Sequence, residues 1–110
     1  MSEDFDPNDA VDFIYRTAPK YAKAKSERVY VEEWRKSKKA LLMKSCGESS
    51  IAAQEREAYG HPEYQELLRA IQVAVEAEES LRWELVAAQA RIEIWRTRSA
   101  NNRALDRAAS

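Results

Sequence analysis

Two glycines, three prolines, one cysteine and one histidine are all that this 110-residue chain offers of the residue types that build tight turns, disulfides or metal sites. So few glycines and prolines leave few points of chain reversal, a composition that suits long helices. With Cys46 as the only cysteine no intrachain disulfide can form, which fits a reducing compartment. A structural zinc site takes four Cys or His ligands, and Cys46 and His61 supply two. No apolar run approaches the ~20 residues that span a bilayer. The opening MSEDFDPND also lacks the basic start and apolar middle of a signal peptide. The expectation is a soluble, cytoplasmic protein without a membrane partner and without a cofactor.

What is present is mostly Ala, Glu, Arg, Lys and Leu, with charged residues making up 34% of the chain. The net charge of −1 conceals blocks of opposite sign. Five acids and one base give −4 over residues 1–19, and nine bases and three acids give +6 over 20–46. Nine acids and three bases then give −6 over 47–90, and five bases and two acids +3 over 91–110. The simplest reading is helix pairing between a basic and an acidic segment.

Punctuation residues divide the chain into helices. Asp6-Pro7 reads as an N-cap followed by proline at the first helical position, with Asp9 near the positive end of the helix dipole. A short helix over 7–17 should follow, with Val11, Ile14, Tyr15 and Ala18 on its apolar side. Pro19 pushes the residue before it out of helical geometry, so a second helix is expected over 19–45. Its narrow stripe is Tyr21, Ala24, Val31, Trp34, Leu41 and Leu42. Gly47 reads as a C′ residue and Ser49 or Ser50 as the next N-cap, opening a short helix over 50–59. Gly60-His61-Pro62 then ends that helix and starts a long one over 62–98. Residues 1–6 are expected to be flexible and 99–110 to fray.

The long helix carries two apolar stripes. Tyr64, Ile71, Leu85 and Ile92 recur at one heptad position, and Leu67, Ala74, Leu81, Ala88 and Trp95 three residues further on, broken only by Glu78. The other stripe, Val73, Ala77, Ser80, Trp83, Ala87, Ala90 and Ile94, lies away from it, so two faces need cover. The first is assigned to the helix over 19–45, with Glu78 meeting a base such as Arg28 or Arg35 to fix the register of an antiparallel pair. Trp83, Ala87, Ala90 and Ile94 form the candidate protein interface. Either the N-terminal helix covers part of this region, with Val11 and Ile14 against Leu85, Ile92 or Trp95, or a second copy does. The second choice is preferred. The fold class expected is therefore all-α: a long antiparallel helical hairpin with short N-terminal and connecting helices, dimerising into a four-helix bundle.

Cys46 and His61 flank the connecting segment and could meet as nucleophile and base, but no orienting group or oxyanion loop accompanies them. Glu76 and Glu79 share a solvated face with Arg82, while Glu78 alone falls on the heptad seam, so the three do not converge as a carboxylate site. Lys20 and Lys23, brought near Arg91, Arg98 and Arg103 by an antiparallel arrangement, would make a basic end able to touch phosphate. No helix-turn-helix, C2H2 or RNP pattern accompanies them. Nucleic-acid binding is thus the alternative to a non-enzymatic protein–protein interaction.

The segments YAKAKSERVYVEEWRKSKKALLMKS, AAQEREAYGHPEY and ARIEIWRTRSANNRA together resemble small all-helical proteins encoded in phage and prophage early regions, often near recombination genes. The resemblance covers most of the chain, is compositional, and carries no site residues. It implies a helical accessory to DNA recombination or replication, or a binder of a host protein. WXG-type secreted helical hairpins share the length, but their Trp-x-Gly turn is replaced here by Cys46-Gly47-Glu48.

Overall fold

The structure, a computed structural model, describes residues 5–110, all of them helical apart from caps and one connecting turn. Three helices follow one another: α1 (Pro7–Ser45), α2 (Ile51–Gly60) and α3 (Pro62–Ala109). Among the described residues there is no strand, and no helix is long and apolar enough to cross a membrane. The contacts group into two compact units, Ala22–Glu79 and, flanking it in sequence, Met1–Tyr21 with Ser80–Ser110.

α1 begins as its sequence dictates. The Asn8 amide donates to Asp6 Oδ1 at 2.9 Å and the Asp9 amide to the Asp6 carbonyl at 3.1 Å, with Pro7 at the first helical position. Residues 1–4 of the segment expected to be flexible lie outside the described residues.

The break expected at Pro19 is absent, and the two helices anticipated over 7–17 and 19–45 are one helix of 39 residues. Proline leaves the Tyr15 carbonyl without its helical donor, a loss that is severe only where water cannot replace it. Tyr15 is 82% exposed and Pro19 is exposed too, so the defect falls on the wet side. On the other side a heptad series continues through it: Ala10, Thr17, Ala24, Val31 and Lys38, joined by Ile14, Tyr21, Arg28, Arg35 and Leu42, are all buried or half-buried. Val11, Tyr15 and Ala18, expected on the apolar side, are exposed, as are Trp34 and Leu41.

In the unit Ala22–Glu79, Leu42, Ala58 and Tyr64 form the core, with Met43 and Leu68 packed against it. The rings of Tyr59 and Tyr64 meet edge to face at 5.4 Å. Gly47, with φ of 80°, makes the left-handed turn after α1. Ser50 caps α2 by accepting the Ala53 amide at 3.2 Å. His61 closes α2 by donating its amide to the Ala58 carbonyl, and opens α3 by accepting the Glu63 amide on Nδ1 at 3.1 Å. Ion pairs link α1 to the two later helices: Lys38 to Glu63 at 3.0 Å, Lys39 to Glu55 at 3.4 Å, and Arg28 to Glu78. Arg28 precedes Lys38 on α1 while Glu78 comes after Glu63 on α3, so these two pairs run in opposite sequence order. The basic block over 20–46 is thus joined to the acidic block over 47–90.

In the other unit Ala10, Thr17 and Ala88 are buried, with Phe13, Ile14, Leu81, Leu85 and Ile92 half-buried. The expected fraying over 99–110 is not seen, since α3 is helical to Ala109. The reason is local: Ala100, Arg103, Ala104, Leu105, Ala108 and Ala109 are strong helix formers, and extending an existing helix needs no new nucleus. Arg107 sits in the last turn, and Ser110 Oγ donates to the carbonyls of Asp106 and Arg107 at 3.1 and 3.2 Å.

Candidate protein-interaction site

Within α3 each residue turns the helix by about 100°, so positions three and four apart share a face. Leu81, Leu85, Ala88 and Ile92 lie on the inward side, and Trp83, Ala87, Ala90 and Ile94 on the other, all four exposed. Trp83 is 58% and Ile94 45% exposed. The Arg82 guanidinium lies 4.5 Å from the centre of the Trp83 ring, a cation–π contact that holds the indole against its own helix. Val73, Ala77 and Ser80, earlier on the same stripe, are exposed as well. Val11 is also exposed, and Trp95 is 38% exposed although the heptad places it on the seam.

Beside this face runs an open groove. Phe5, Phe13 and Ala10 line it from the start of α1, and Ala87, Ala88 and Ile94 from α3. Its charged rim is mixed, with Asp6, Asp9 and Glu84 against Arg16 and Arg91. The sequence reading missed Phe5 and Phe13 as lining residues. A signal existed in the spacing of Ala10, Phe13, Ile14 and Thr17, at steps of three and one, but Thr17 masks it by being polar.

The polar seam is built differently. Glu78 is buried and takes two hydrogen bonds from Arg28, one from Nε to Oε2 and one from Nη2 to Oε1 at 3.0 Å. Nη1 of the same guanidinium donates to Glu32 Oε2 at 3.0 Å. These bonds, Glu78 first and Glu32 second, push the Arg28 pKa well above its ordinary value. Elsewhere in the same unit, the Glu63 carboxyl is held below its usual range by the hydrogen bond and charge of Lys38. Lys39 is raised, first through Tyr59, over whose ring its Nζ sits at 4.5 Å, and further by Glu55.

Of the candidate nucleic-acid residues, Lys23 belongs to the unit Ala22–Glu79 and the other four to the second unit. Lys20, Lys23, Arg91, Arg98 and Arg103 are all exposed. Arg91 lines the groove with Arg16, whereas Arg98 lines a smaller depression with Glu93, Ile94 and Thr97. Lys20 and Arg103 line neither of these. Cys46 donates from Sγ to the Met43 carbonyl at 3.2 Å and His61 caps α3, so both have local structural roles. Among the described residues no group of three His, Cys, Asp or Glu side chains is placed to hold a metal ion.

No protein family, no curated protein and no solved structure matches this chain.

Proposed function

We propose that this chain is a non-enzymatic helical interaction protein that acts as a homodimer. In this reading two antiparallel hairpins join into a four-helix bundle through Trp83, Ala87, Ala90 and Ile94. The observation that carries it is the exposure of Trp83 and Ile94 on one side of α3, with two alanines between them that permit close helix approach. A thin interior supports it. Among the described residues the buried hydrophobics are Ala10, Leu42, Ala58, Tyr64 and Ala88, and no large side chain is fully buried. A partner helix would supply apolar contact that a single chain of this length builds sparingly.

Its proposed setting, from the resemblance to phage and prophage proteins, is the cytoplasm of a bacterial host, as an accessory to DNA recombination or replication or as a binder of a host protein. Sedimentation equilibrium tests the dimer. Trp83→Ala should weaken self-association about 30-fold, as the loss of an interface anchor does. An unchanged molecular weight with an earlier thermal transition would instead place Trp83 in packing within one chain. Affinity capture from lysogenic cells tests the setting, and recovery of no recombination, replication or host factor above control would sink it.

A further inference from the structure

The face around Trp83 carries its own charge code. Glu84 and Arg91 are both exposed and lie along one edge of that face, seven residues apart, which is about 10 Å along the helix. Neither has a charged neighbour at the positions three and four residues away: Glu84 is surrounded by Ser80, Leu81, Ala87 and Ala88, and Arg91 by Ala87, Ala88, Ile94 and Trp95. Asp6 before α1 and Asp9 and Arg16 within it line the same groove, but among the described residues Glu84 and Arg91 form no ion pair with them. By contrast, Glu93 on the same helix is paired with Arg96 at 2.7 Å. Two charges of opposite sign, without an ion pair among the described residues, thus lie along one edge of an exposed apolar face.

We infer that the occupant of this face is the α3 helix of a second copy, packed antiparallel about a two-fold axis that passes between Ala87 and Ala90, with Glu84 of each chain paired to Arg91 of the other. This rests on the homodimer proposed above and specifies its geometry. Twofold symmetry makes every contact occur twice. Ala87 meets the partner's Ala90 at the centre, where small side chains let the backbones approach. Trp83 meets the partner's Ile94 on either side, so each bulky aromatic faces an aliphatic rather than its own copy. The same register brings Glu84 beside the partner's Arg91 at one edge, and Arg91 beside the partner's Glu84. A parallel pairing would set each residue beside its own copy and leave the two charges a heptad apart. Charge complementarity therefore selects both a second copy and its direction.

Reversing one charge at a time tests this in the full chain. Glu84→Arg replaces both cross-chain pairs by Arg–Arg contacts, and Arg91→Glu replaces both by Glu–Glu contacts, so each variant alone should self-associate about tenfold more weakly. Mixed in equal amounts, the two variants should associate with each other as tightly as wild type does, because each pair is then again of opposite sign. The double variant E84R/R91E should likewise regain wild-type self-association. Circular dichroism checks that each variant remains helical. If wild type dimerises, Trp83→Ala dissociates it, and the charge variants neither lose nor exchange association, this register is wrong while the dimer stands. If wild type stays monomeric up to about 100 µM, both proposals fall.

Discussion

Arg28 and Glu78, fifty residues apart in sequence, are joined by two parallel hydrogen bonds between a half-buried guanidinium and a buried carboxylate. Such pairs owe much of their apparent strength to the cost of leaving either member unpartnered. Glu78→Ala and Arg28→Ala should each lower the melting temperature by several degrees, and the double substitution by less than the sum of the two. A cycle of four thermal melts checks this, and simple additivity would show that the residues are not coupled. Replacing both by leucine should recover most of the stability, since the seam on either side of them is apolar.

Glu63 and Lys39 give the fold opposite pH dependences. Glu63 is held below the ordinary carboxylate range, so its contribution is present above that range and is lost as pH falls through its depressed value. Lys39 is raised, so its contribution is complete below the ordinary lysine range and is lost as pH rises through its elevated value. Lys38→Met should flatten the acid limb of a stability profile and Tyr59→Phe the alkaline limb. Both effects should shrink in high salt, because these side chains are in contact with solvent.

Adjacent leucines should behave very differently. Leu42 is 7% exposed and belongs to the core with Ala58 and Tyr64, while Leu41 is 52% exposed. Leu42→Ala should cost about 2–4 kcal/mol in denaturant unfolding. Leu41→Ala should stay within about 0.5 kcal/mol of wild type.

The two glycines should respond with opposite signs. A Cβ at Gly47 would touch nothing, yet its φ of 80° is one that side chains resist, so Gly47→Ala should destabilise by about 1 kcal/mol. Gly60 ends α2 without a positive φ and also has open space around it, so Gly60→Ala should stabilise by about 0.5 kcal/mol. Urea titrations of both variants test the contrast.

How much could be read from the sequence depended on whether a seam was apolar. On α3, Tyr64, Leu67, Ile71, Ala74, Leu81, Leu85, Ala88, Ile92 and Trp95 stand at heptad spacing, and all but the last, Trp95, are buried or half-buried. The outward position of Trp83 and Ile94 follows from the same spacing. α1 was harder, because its inward positions include Thr17, Arg28, Arg35 and Lys38, while its most conspicuous apolar residues, Trp34 and Leu41, point to solvent. Long basic side chains fill such a seam by laying their stems on apolar surface and carrying their charges to carboxylates, as Lys38 does with Glu63 and Arg28 with Glu78. Hydropathy alone scores those positions as surface. Pro19 misled for a related reason. Its local rule is sound, but the continuity of the inward series decides whether the helix goes on.

The nesting of the two units bears on how the chain acquires its structure. Ala22–Glu79 is one uninterrupted stretch, whereas the other unit joins residues from either side of it. Closing contacts within the inner stretch requires shorter loops, and loop closure becomes entropically costlier as the enclosed chain lengthens. During synthesis the inner stretch is also complete while the segment after Glu79 has yet to leave the ribosome. The inner unit is therefore expected to form first, and the amides around Ala10 and Ala88 should gain protection from pulsed hydrogen exchange later than those around Leu42 and Tyr64. Simultaneous protection would mean that the two units fold in a single step.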